Sequence, residues 1–207
     1  MLRKRMQHLL GVLGLAVLLG APIAEAQESP PVRVRGTIEQ VDGPNLVVKS
    51  RDGAELKVVL ADNALVVAIA KASLADVKPG AFVGVTGMPQ ADGTQRAVEV
   101  HVFPEAMRGT GEGHRPWDLQ PQSTMTNGNI DQTVVGVEGQ TLTLSYKGGE
   151  KKIVVPSDTP IVSIAPGERT DLKPGAKIFI VAAKRQADGT LLAPRVNIGK
   201  DGLTPPM

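Results

Sequence analysis

Gly36-Thr37-Ile38-Glu39-Gln40-Val41-Asp42-Gly43 returns 96 positions later as Gln132-Thr133-Val134-Val135-Gly136-Val137-Glu138-Gly139, and the two stretches run on to Leu46 and Leu142. Lys78-Pro79-Gly80-Ala81 recurs as Lys173-Pro174-Gly175-Ala176, and Gln90-Ala91-Asp92-Gly93-Thr94 as Gln186-Ala187-Asp188-Gly189-Thr190, in the same order. A duplicated unit therefore sets the architecture, with copies at 32–103 and 128–199. Each copy is 72 residues long. A single core of that size is only marginally stabilising, so packing of the copies on each other, or oligomerisation, is expected.

Val32, Val34, Gly36 and Ile38 alternate with Arg33, Arg35, Thr37 and Glu39, the period of a half-buried strand. Asp42-Gly43-Pro44-Asn45 turns the chain into strands at Leu46 to Ser50 and Ala54 to Leu60, joined by the hairpin signal Arg51-Asp52-Gly53. The second copy offers Thr133 to Val137, Thr141 to Tyr146 and Lys152 to Val155. A looser stretch follows Leu60, in which Ser73 can cap one or two helical turns before Pro79-Gly80; its counterpart, Thr170 to Lys173, is shorter. Two more strands, Phe82 to Gly87 and Arg96 to Phe103, match Ile178 to Ala183 and Leu191 to Ile198. Three strands, a short helical turn and two strands is the order of a five-stranded OB-type barrel. The expected fold is all-β: two tandem small OB-like five-stranded barrels joined by a long loop, with an open β-sandwich as the alternative.

The first residues carry Arg3-Lys4-Arg5, an apolar run from Leu9 to Leu19 and the small-residue motif Ala24-Glu25-Ala26, the layout of a cleavable signal peptide spanning 1–26. Residues 27–31 are then an N-terminal linker and 200–207 a C-terminal tail, and the expected location is the periplasm or the exterior. The formal charge of +2 comes from 23 basic and 21 acidic residues. Cleavage after Ala26 removes three bases and one acid and leaves 20 of each, so a basic pI implies no polyanionic partner. No other segment is long and apolar enough to span a bilayer. The chain has no cysteine, which excludes disulfides and thiol chemistry.

The pattern at Gly36 to Val48, Leu74 to Gly80 and Ala91 to Thr94 resembles the bacterial exported repeats grouped as domain of unknown function 5666. The resemblance covers about 144 residues in two tandem copies, and the second copy departs at its first strand, where Gln132 stands for the glycine. It implies small exported β-barrel modules without an assigned reaction. Similar chains are labelled as metal-transport components.

Between the copies lie 24 residues, 104–127, a Gly/Pro-rich connecting loop that matches neither strand pattern and holds the only tryptophan. Arg108, His114, Arg115, Trp117 and Asp118 are the candidate contact residues. Gly109-Thr110-Gly111-Glu112-Gly113 superficially resembles a phosphate loop, but His114-Arg115-Pro116 follows where Gly-Lys-Ser or Gly-Lys-Thr is needed. The glycines are better explained by a sharp chain reversal. Glu112, His114 and Asp118 form the candidate set for a divalent metal, with His101 as a distant fourth ligand. Trp117 is expected to anchor the loop onto one or both barrels.

Nucleic acid is not expected, since residues 32–81 contain no aromatic platform. No Gly-x-Ser-x-Gly or His-Glu-x-x-His motif is present, and Asp42, Asp52, Asp92 and Asp188 sit in predicted turns. The expectation is an exported, non-enzymatic binding or scaffold module of the cell envelope, without a cofactor, whose partner is an envelope protein or a small ligand. The alternative is a soluble periplasmic accessory protein for metal handling or metal transport.

Overall fold

The structure is a computed structural model that describes residues 30–137 and 139–207; the signal-peptide expectation lies outside the described residues. The described chain is all-β, with β1 Val32–Asp42, β2 Asn45–Ser50, β3 Glu55–Lys71, β4 Phe82–Pro89, β5 Gln95–Val102, β6 Gly113–Pro116, β7 Thr124–Gly136, β8 Gly139–Tyr146, β9 Gly149–Pro156, β10 Ile161–Pro166, β11 Lys177–Arg185 and β12 Leu191–Gly199. Among the described residues every helical segment is a three-ten turn. The one before β4 is closed by Asp76, whose Oδ2 accepts from both the backbone N–H and the hydroxyl of Ser73 at 2.9 Å.

Strands β1, β2, β3, β12 and β11 pair in that order, and β11 returns to β1. This closes a five-stranded barrel in which β3 and β12 run parallel and the other neighbours antiparallel, the expected OB-type order. Its core packs Ile38, Leu46, Val48, Val58, Ile180 and Val196. A second ring runs β7, β8, β9, β5, β4 and back to β7, with a short parallel seam at Gln95↔Ile153 and Arg96↔Val154. Val83, Val85, Val100, Ile130, Leu144 and Ile153 fill it.

The expected tandem, with 32–103 and 128–199 each closing on itself, is not what the pairings show. The first three strands of one copy close with the last two strands of the other, in both directions. The cause lies in β3, where a looser stretch was expected after Leu60. It runs 17 residues, about 55 Å at the usual rise per residue, which is longer than the wall of a small barrel. Val66 to Ile69 are all buried, the mark of a strand covered on both faces. This half pairs with β12 and, antiparallel, with β10, a strand not foreseen in the sequence. The ladder centres on Ile69↔Ile164, positions 95 apart as Lys78 and Lys173 are, so the copies are related by a local two-fold axis there.

The register also corrects how the copies align. Ile38 pairs with Val48 and exchanges backbone hydrogen bonds with the segment before β11, while Ile130 pairs with Leu144 and does the same before β4. Gly36 therefore corresponds to Gly128, not Gln132. A Cβ on either would overlap a neighbouring carbonyl, that of Lys49 or of Ser145, which is why both are glycine. The β7–β8 hairpin is four residues longer than its counterpart and carries the exposed Val134, Val135 and Val137.

Candidate functional site

The connecting segment 104–127 is more ordered than a loop. Glu105–Met107 form a three-ten turn, β6 pairs with the start of β7, and Trp117 to Ser123 form a closed turn. Ser123 is buried, its hydroxyl lies 2.7 Å from the Gln120 carbonyl and 3.1 Å from that of Trp117, and the Trp117 backbone N–H donates to the Ser123 carbonyl at 2.8 Å. Trp117 packs edge-on to Phe179 with ring centres 6.3 Å apart, and the Arg33 guanidinium lies 4.2 Å over its ring. The indole thus joins the segment to the barrel. With Phe82, Phe103 and Ile69 it belongs to a third apolar cluster at the junction of the two rings.

A cavity of about 310 Å³ opens in this junction. Equivalent strands bring equivalent positions to it. In the barrel, Phe179 on β11 pairs with Arg35 on β1 and Asn197 on β12. In the second ring, Gly84 on β4 pairs with Asn127 on β7 and His101 on β5. Where the barrel has a phenyl ring, the second ring has a glycine. His101 Nε2 and Asn127 Oδ1 occupy the space a Cβ there would need, the latter at 2.6 Å.

Behind His101 lies a buried polar relay. Glu99 has no exposed surface and His101 has 4 %. Glu99 Oε1 accepts from the Thr86 hydroxyl at 3.0 Å and lies 3.0 Å from His101 Nδ1. A hydrogen bond at Nδ1 fixes the imidazole and leaves Nε2 as the nitrogen beside Gly84. Burial of a carboxylate requires such partners, yet Glu99 Oε2 has none.

Three cavity-lining residues carry buried polar atoms without partners: Trp117 Nε1, Asn127 Oδ1 and Arg195 Nε. Orphaned buried groups cost about 1–3 kcal/mol each, so a cluster at one cavity calls for an explanation. Arg195 follows Pro194, where the β12–β3 register shifts, and burial alone pulls its pKa below the usual arginine value. A larger open groove of about 600 Å³ along β1 and β2 has no orphaned polar atom.

Of the candidate contact residues, Arg115 and Trp117 line the cavity. Arg115 donates to the Gly111 carbonyl at 2.7 Å, and Asn127 Nδ2 donates to that of Thr110 at 3.0 Å, so the glycine-rich stretch folds over the cavity as a reversal. Asp118 receives Arg35 at 2.8 and 3.1 Å and lies 3.5 Å from Arg33. Partial burial pushes its carboxyl up, but the Arg35 hydrogen bonds and the charges of Arg35 and Arg33 outweigh this and hold it below the usual aspartate range. Arg108 is held by Glu105, Asn129 and the Gly80 carbonyl. His114 bonds Thr126 Oγ1 at 2.8 Å and stacks on Tyr146. The metal candidates have separate partners, Glu112 accepting from the Lys147 N–H, and among the described residues no trio of His, Asp or Glu could hold a metal ion.

Glu99, Asn127, Arg195 and Asn197 were not singled out by sequence. Glu99 and His101 alternate with apolar residues on β5, and a charged residue at an inward-facing strand position was the available signal. No protein family, curated protein or solved structure matches the chain.

Proposed function

We propose that the protein is an exported, non-catalytic binding module of the cell envelope, made of two barrels that exchange their last two strands, and that it holds a small molecule in the cavity where they meet. The observation that carries this reading is that three residues lining one cavity, Trp117, Asn127 and Arg195, each hold a buried polar atom without a partner. A volume of about 310 Å³ lies within the range of small-ligand sites, and such sites combine apolar walls with a few placed polar groups. Phe103, Phe179, Met125 and Ile164 supply the walls. Export follows from the layout of residues 1–26 and agrees with the resemblance to exported repeats.

Native mass spectrometry of protein purified from the exported fraction tests this. A bound small molecule is expected on the wild-type chain and not on Ala182→Trp, which fills the cavity from an exposed lining position. Retention of the molecule by Ala182→Trp would place the site elsewhere.

A further inference from the structure

We infer that the ligand is a small organic acid with a flat apolar body, its carboxylate received by the Arg195 guanidinium. The inference rests on the cavity reading above and names the class of molecule it takes.

Two guanidiniums line the cavity, those of Arg115 and Arg195, while Arg33 and Arg35 lie over the rings of Trp117 and Phe179. Asp118 is engaged by Arg33 and Arg35, and the buried Glu99 by Thr86 and His101, so neither serves the two cavity-lining guanidiniums. Neither Arg115 nor Arg195 has an acidic partner among the described residues, and Arg195 Nε is left without a hydrogen bond. A half-buried guanidinium cannot shed its charge, so it is stabilised by an anion supplied from outside. Its planar fork suits a carboxylate in two parallel hydrogen bonds. Burial and the neighbouring Arg33 charge also depress the Arg115 pKa, a sign of uncompensated positive charge on that wall.

The remaining walls define the body of the ligand. Phe103 and Phe179 present ring surfaces, and Met125 an adaptable apolar one, which favours a flat ring or short chain. At the second-ring end, His101 and Asn127 complete the lining with polar side chains.

Trp117 is the only tryptophan, so its emission reports on the site directly. Titrations with phenylbutyrate and its neutral isostere phenylbutyramide are expected to differ by about tenfold or more in favour of the acid. Arg195→Gln should abolish that preference, and Arg195→Lys should keep part of it. Equal binding of acid and amide to the wild-type chain overturns the ligand class and leaves the cavity reading intact. So does an undiminished preference in Arg195→Gln. Silence from both compounds also overturns the ligand class, and it overturns the cavity reading too if natively purified protein carries no small molecule.

Discussion

Gly36 and Gly128 show how a single missing Cβ fixes a strand's position. Each lies against a carbonyl of the neighbouring strand, so an added methyl must displace backbone, not a flexible side chain. Gly36→Ala and Gly128→Ala are each expected to cost about 1–3 kcal/mol, as overpacking typically does. Gln132→Gly, at the exposed position that sequence matching alone equates with Gly36, should change stability by less than about 1 kcal/mol. Chemical denaturation of the three variants checks this. Sequence could not make the assignment, because the longer β7–β8 hairpin lets the wrong register match equally many residues. The repeated Asp-Gly-Thr turns were legible because their logic is local. Asp92 and Asp188 each accept from the N–H and hydroxyl of the threonine two residues on, at 3.0 and 2.7 Å in one copy and 2.9 and 2.7 Å in the other.

Among the elements, β6 has no counterpart in the repeat, and it is what turns the connecting segment into a cover for the cavity. It pairs with β7 through four residues, His114 opposite Thr126 and Arg115 opposite Met125. Burial, and then the charges of Lys151 and Arg115, pull the His114 pKa below the ordinary histidine value of 6.5. A histidine whose pKa is lowered on folding takes up a proton more readily when unfolded. Its contribution to stability is therefore full above about pH 6.5 and is lost as pH falls through the lowered folded value. The melting temperature is expected to decline across that acid range, and the decline should be shallower in His114→Gln. An identical slope in both proteins would show that another group sets it. The strand itself was hidden in the sequence because Gly113 and Pro116 bracket it, and its pairing partner, not its own propensity, makes it a strand.

For the chain as one body, the exchange of strands makes each copy incomplete. Residues 32–103 leave β3 without β12, and residues 128–199 leave β9 without β5, so either copy alone exposes open sheet edges. An isolated copy is expected to be unfolded or to dimerise, and the two separately expressed halves to reassemble when mixed. Light scattering with circular dichroism reads the outcome. A folded monomeric single copy would contradict the exchange. The strand order of the barrel was legible from periodicity and turns, since both are local properties. Which copy supplied the closing strands was not, because the two copies offer nearly identical partners and only chain geometry chooses between them.

The sequence alone determined the duplicated β unit, the turns that punctuate it, and the concentration of distinctive residues outside the repeat, including Arg115 and Trp117. The tertiary structure decided the rest. It ran β3 beyond the barrel to pair with β10, set Gly84 opposite His101 and Asn127, and left Arg195 Nε and the Trp117 indole N–H unpartnered in residues that line one cavity. The reason is physical. Turn and strand signals depend on neighbours in sequence, whereas a site built at a two-fold junction depends on residues nearly a hundred positions apart being brought side by side.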